Sequence, residues 1–172
     1  NVKRPHKPPD PREYMDGQQR PGNIFNGVLH PTLGFGMKGV IWYQGEANAR
    51  DAWIYPKLFA RLITGWRAAW GDETLRFYWV QLPNFGERKD EPEPDAAWAE
   101  LREAQTRTLA LPHTGQAVTV DLGDANDIHP KNKLDVAARL VRWALANDYG
   151  ISMPFRSPGF KEMTVNGSRA TI

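Results

Sequence analysis

The sequence has no cysteine among its 172 residues. Disulfides and thiol chemistry are excluded, and the redox compartment stays open. No apolar run reaches about 18 residues, the length a membrane-spanning helix needs. Charge of one sign is also lacking: 22 Lys and Arg against 20 Asp and Glu leave a net +2 at pH 7. Neither nucleic acid nor an anionic membrane is indicated as a partner. Serine is scarce, with only Ser152, Ser157 and Ser168, all late in the chain. No His pair or cysteine cluster has zinc spacing, so neither a metal nor a cofactor is expected. No signal-peptide pattern precedes the first element. That carries little weight, because the chain opens on Asn1 and reads as a piece of a longer protein.

What is present is globular. Hydrophobic residues make up 41% and charged residues 24% of the chain, enough for one domain with a sizeable core. Seven Trp and five Tyr are many for this length. Carbohydrate sites use such flat faces, but most of these rings are expected in the core.

Residues 1–22 hold Pro5, Pro8, Pro9, Pro11 and Pro21 and read as a linker or surface loop. Asn23 to Met37 is turn-rich, with at most one helical turn. Lys38 to Tyr43 is a short β-rich run that breaks at Gln44-Gly45-Glu46. Asp51 to Trp70 is a helix with Leu58, Leu62 and Trp66 on its expected apolar face and Pro56 in its first turn. Leu75 to Leu82 is a strand, Asn84 to Asp95 a long polar rim or lid, and Ala96 to Ala110 a second helix. Ala117 to Asp121 is the third strand. Asn132 to Asp148 is the third helix, with an expected stripe of Leu134, Ala137, Ala138, Val141, Ala144 and Leu145. Alternating strands and helices predict an α/β fold with a parallel sheet. Three strands are few, so further N-terminal strands are expected outside this chain. After Gly150 the pattern changes to a linker and the start of a β-rich region, residues 151–172, with Asn166-Gly167 as a hairpin turn.

The chemistry concentrates in two loops. Asp127 and His129 lie two residues apart in the loop before the third helix. A carboxylate that reaches one imidazole nitrogen fixes the tautomer and leaves the other nitrogen to take a proton. The alternative is a surface loop with a capping Asp. Asp121, Asp124 and Asp127 also suggest a calcium loop, but the alternate spacing and closing Glu of that motif are absent. Gln44-Gly45-Glu46 ends the first strand, and parallel strands put both loops on one edge of the sheet. A Gln N–H can serve an oxyanion. A polar turn is an equally good reading on spacing alone, with Asn48 either a further donor or a helix cap. An activated serine is needed to complete a triad. None of the three serines sits in a strand-to-helix elbow.

Gly39-Val40-Ile41-Trp42-Tyr43-Gln44-Gly45-Glu46-Ala47-Asn48, with Asp127-Ile128-His129-Pro130-Lys131-Asn132-Lys133, resembles the sialate O-acetylesterase family of SGNH (GDSL-like) hydrolases. Phe25-Asn26-Gly27, Trp66-Arg67, Trp70-Gly71-Asp72, Val80-Gln81-Leu82-Pro83 and Leu101-Arg102-Glu103-Ala104-Gln105 extend the resemblance. It implies a flavodoxin-like three-layer α/β/α sandwich, with residues 23–150 the C-terminal part of a catalytic domain. It implies a serine esterase that removes acetyl groups from sugars, with His129 as general base and Asp127 orienting it. Gln44 and Gly45 would help form the oxyanion hole, with Glu46 and Asn48 in support. Ala47 stands where the family usually has Ser. The superfamily's Asp three residues before the His is Asn126 here; the Asp-Ile-His-Pro form of the acetylesterase group favours Asp127 and leaves Asp124 as a possible substitute. The nucleophilic Ser block is not in this chain. The resemblance also implies an acetylated sugar substrate, a companion N-terminal fragment or homo-oligomer, and a secreted or periplasmic location. An acetylxylan esterase and a non-catalytic carbohydrate-binding domain remain the alternatives.

Overall fold

The computed structural model describes residues 20–91, 93 and 96–172. Most of the expected linker at 1–22, together with Pro92 and Pro94 of the long loop, lies outside the described residues. Three parallel strands form the main sheet: β1 (Gly39–Trp42), β2 (Arg76–Gln81) and β3 (Thr114–Val118), in that spatial order. Val40 lies opposite Phe77, and Phe77 opposite Thr114. The connections carry α1 (Tyr55–Trp70) and α2 (Ala97–Arg107), and α3 (Lys133–Asp148) follows β3.

The middle strand sets the layers. Successive side chains of a strand point to opposite faces. Phe77 and Trp79 pack with Tyr55, Phe59 and Ile63 of α1 and with Leu101 and Ala104 of α2. Tyr78 and Val80 pack with Val136 and Leu140 of α3. The result is a mixed α/β arrangement, a three-stranded parallel sheet flanked by helices on both faces.

Two helix faces differ from expectation. In α1 the buried residues are Tyr55, Phe59, Ile63 and Arg67, and Leu58 is exposed. Leu62 and Trp66 still pack against this core as expected, and the centre of the face lies one residue on because Phe59 stacks on Trp42 and meets Trp79 edge-to-face. In α3 the inward residues are Val136, Leu140, Trp143 and Ala144, whereas Leu134 and Val141 face solvent at 81% and 48% exposure. This helix carries two apolar stripes, and the sheet takes the one with Trp143. A Cβ on Gly115 would lie 2.3 Å from the Trp143 ring, so the glycine makes the seat. The Trp143 indole N–H then donates to Gln116 O at 3.1 Å.

β3 also sits earlier than the expected Ala117 to Asp121. Thr119 leaves the ladder: its hydroxyl donates to Gln81 O at 2.6 Å, and its carbonyl accepts from Leu122 N in a turn. The expected hairpin is present as β4 (Thr164–Asn166) and β5 (Arg169–Thr171), antiparallel and exposed, with Gly167 at φ 60° in the turn.

Candidate active site

Parallel strands deliver their C-terminal ends to one edge, and three loops meet the solvent there. The first follows β1. Gly45 is buried at φ 146°, a conformation that L side chains rarely adopt. A Cβ there would approach Gln105 Nε2 and Leu101 Cδ2 at 3.2 Å. Gln44 Nε2 donates to Asn48 Oδ1 at 2.7 Å, across a 3-10 turn over Glu46–Asp51. Asn48 is therefore a partner of Gln44 and not the cap of α1, whose flanking residue is Ile54.

Two side chains outside the motif hold this loop. Tyr55 O–H donates to Gln44 O and to Gln44 Oε1, both at 3.3 Å. Burial chiefly pushes the Tyr55 hydroxyl up to about 12, so it remains a donor at neutral pH. Gln105, with no exposed surface, donates to Gln44 O at 3.2 Å and to Val80 O at 3.3 Å, and accepts from Leu82 N at 2.9 Å. It joins the ends of β1 and β2. The sequence signal for this role is a glutamine on the same face of α2 as the buried Leu101. The neighbouring Tyr43 hydroxyl is buried without a hydrogen-bond partner among the described residues. Burial first, then the nearby Glu46 carboxylate, raises the pKa of Tyr43.

The second loop follows β2 and behaves as a rim. Trp98 Nε1 donates to Pro83 O at 2.6 Å, and the Phe85 and Trp98 rings lie 5.4 Å apart. Asn84 Oδ1 accepts from Gly123 N at 2.8 Å, and Gly86 N donates to Ala125 O at 3.1 Å. A Cβ on Gly123 would fall 1.9 Å from Asn84 O. The second loop is thus the bed on which the third rests.

The third loop runs from Thr119 to Asn132. Asp121 grips Arg139 of α3 with both oxygens, at 2.6 and 2.7 Å, and Arg139 also donates to Val118 O at 2.7 Å. The Arg139 guanidinium holds the Asp121 carboxyl at about 2. Asp124 Oδ1 accepts from Asn126 N at 2.9 Å. Asp127 Oδ1 accepts from His129 N at 2.8 Å. The contact between Asp127 and His129 therefore runs through the backbone. The imidazole is exposed, and no hydrogen bond to its ring is present among the described residues. The three aspartates have separate partners and do not converge on one point. Among the described residues no group of three His, Asp or Glu side chains could hold a metal ion.

Asn132 Oδ1 caps α3 by accepting from Asp135 N at 3.2 Å. In the next position the Lys133 ammonium stands 4.6 Å from the centre of the Tyr43 ring. That cation–π contact brings the start of α3, and the His129 loop with it, to the end of β1. Ser152 lies beyond the far end of α3, roughly 24 Å away at 1.5 Å per helical residue. Ser157 lines a cavity beside Gln116 and Trp143, and Ser168 sits in the β4–β5 turn.

A parallel α/β sheet with polar loops gathered at its C-terminal edge places this chain in the α/β class that binds ligands at that edge, and the comparisons make it specific. Residues 22–142 match the family described as carbohydrate esterase, sialic acid-specific acetylesterase. The sialate O-acetylesterase of Mus musculus is 32% identical over 183 aligned residues, covering 94% of this chain and 33% of that protein. That of Homo sapiens is 30% identical, covering 81% and 30%. The crystal structure of a carbohydrate acetylesterase from Xanthomonas citri superposes with a TM-score of 0.74 at 47% identity, over 86% of this chain and 34% of that one. The chain belongs to the sialic acid-specific acetylesterase family of carbohydrate esterases. It spans about a third of the length of these relatives.

Proposed function

We propose that this chain is the base-bearing part of a serine-type carbohydrate O-acetylesterase of the SGNH type, whose nucleophile and N-terminal strands lie in polypeptide outside these 172 residues. The observation that carries the reading is the placement of Gln44-Gly45-Glu46 and Asp127–His129 on one sheet edge, tied by Lys133 over Tyr43. A serine hydroxyl attacks the acetyl carbonyl while His129 takes its proton. The tetrahedral oxyanion accepts hydrogen bonds, the alcohol leaves with the proton returned by His129, and water releases acetate by the same steps. Asp127 keeps one oxygen on the His129 backbone, which leaves the other for the ring. Gln44 holds Asn48 by its carbonyl oxygen. The Asn48 amide hydrogens and the second Gln44 amide hydrogen are then available to the oxyanion. Glu46 supports the turn.

The substrate is an acetylated sugar, with O-acetylated sialic acid favoured over acetylxylan by the names of the relatives. The outer edge of β1, unpaired among the described residues and carrying the 71% exposed Ile41, is where the rest of the catalytic domain would pair. By family analogy the longer protein is secreted or periplasmic. The test is acetate release by the longer protein. His129→Ala should lower kcat by about 1000-fold or more, with circular dichroism unchanged. Undiminished turnover would sink the assignment, and so would turnover by the 172-residue chain alone. A chain that only binds sugar, the second reading, would show affinity without acetate release in any form.

A further inference from the structure

A cavity of about 220 Å³, open to solvent, lies on the far side of β3 from β1, lined by α3 and by residues 154–157. It belongs to none of the three loops described above. Its back wall is built and not incidental. Trp143 is pinned against Gly115 and to Gln116 O, and Phe155 meets the Trp143 ring edge-to-face at 4.9 Å. That contact holds the following segment, so Arg156 and Ser157 come to the rim. Three arginines line the space. Arg139 is committed to Asp121 and Val118 O. Arg142 and Arg156 have no acidic partner within salt-bridge distance among the described residues, although both line the same cavity.

We propose that this cavity binds an acidic monosaccharide, its carboxylate held by Arg142 and Arg156 and its apolar ring face laid against Trp143 and Phe155. Two unpaired guanidiniums are suited to a planar carboxylate, which each can grip through two N–H groups. An aromatic wall suits the C–H face of a pyranose, and the Ser157 hydroxyl offers a partner to ring hydroxyls. The volume accommodates a single pyranose ring. The site is separate from the esterase edge and does not depend on the esterase reading.

The test is a titration of the isotopically labelled protein with glucuronate and with N-acetylneuraminate, read at the Trp143 indole N–H resonance, which Trp143→Phe assigns. Saturable shifts are expected with both. Affinity should fall at least about tenfold in the Arg142→Gln/Arg156→Gln double variant and with added salt. Glucose should leave the resonance unmoved. Both arginines are exposed, so the double variant should keep its fold, and its unchanged amide spectrum checks this. No saturable shift up to about 50 mM, or equal affinity in the double variant, overturns the proposal. Inorganic phosphate binding as tightly as the sugars would make it a simple anion site and also overturn it. So would binding by the 172-residue chain that vanishes in the longer protein, since the chain's own continuation would then fill the cavity.

Discussion

At the scale of single residues, the site depends on glycines where the backbone has no room. Gly45 has both a positive φ and two neighbours at 3.2 Å. Gly45→Ala should destabilise the fold by about 1–3 kcal/mol, seen as a lower urea midpoint with an unchanged slope. An unchanged midpoint would mean that the turn relaxes without strain. Gly123→Ala acts differently. The methyl would meet a backbone oxygen, so the loop after β3 must leave its bed on Asn84. The expected result is loss of protection at Gly123 N and Gly86 N in hydrogen exchange, with the sheet amides unaffected. The sequence exposed part of this. Gln44, Gly45, Asp127 and His129 stood out because each is a chemically capable residue at the end of a strand or ahead of a helix. Gln105, Tyr55, Asn84 and Lys133 did not, because their roles are contacts across 11 to 90 residues. No local pattern reports such a distance. The backbone bond from His129 to Asp127 was equally invisible, since spacing alone suits an imidazole contact as well.

At the scale of elements, the order of strands and helices was legible from apolar periodicity and from Pro and Gly punctuation, and most boundaries fell within a few residues. Helix orientation was less so. α3 has apolar residues on two sides, and only the fit of Trp143 to Gly115 decides which side turns inward. The same helix protects an exposed strand edge. Trp143 and Arg139 satisfy the outward carbonyls of Gln116 and Val118, which would otherwise offer a template to another strand. Arg139 adds a pH dependence. The hydrogen bond from Arg139 holds its partner Asp121 at about 2 in the folded protein, below the ordinary aspartate range. A lowered folded pKa favours the folded state above pH 4, and that contribution is lost as pH falls from about 4 to about 2. Melting temperature should therefore drop over this interval, and Asp121→Asn should remove that part of the drop. An identical acid profile in the variant would show that the pair adds no stability. On the other face, the buried Arg67 donates to the carbonyls of Leu75, Pro112 and His113. Burial lowers its pKa, yet it is held without a carboxylate hydrogen bond among the described residues. Arg67→Met should cost about 2–4 kcal/mol by orphaning these oxygens, measurable by chemical denaturation.

At the scale of the whole molecule, large apolar side chains remain uncovered. Ile41 on β1 and Leu134 and Val141 on α3 are among them. Such surfaces in a single small domain favour association. Sedimentation of the 172-residue chain should show concentration-dependent self-association, and the longer protein should show less of it. A monomer at every concentration would mean that these side chains need no cover. The fold class was readable at this scale, because alternating elements leave few topologies. The extent of the missing surface was not, because exposure is a property of the packed chain.

The sheet order bears on how the protein is made. In the main sheet β2 pairs with β1 and β3 with β2, so each of these strands finds its partner already in place when it is synthesised. Assembly can then proceed in the direction of translation. Within this chain β2 closes over β1 and α1, and α3 is the last helix to dock on the three-stranded sheet. The loop with Asp127 and His129 is held between β3 and that last helix. A ribosome-bound chain lacking α3 would therefore carry a folded face around Trp79 while the loop with Asp127 and His129 had yet to form.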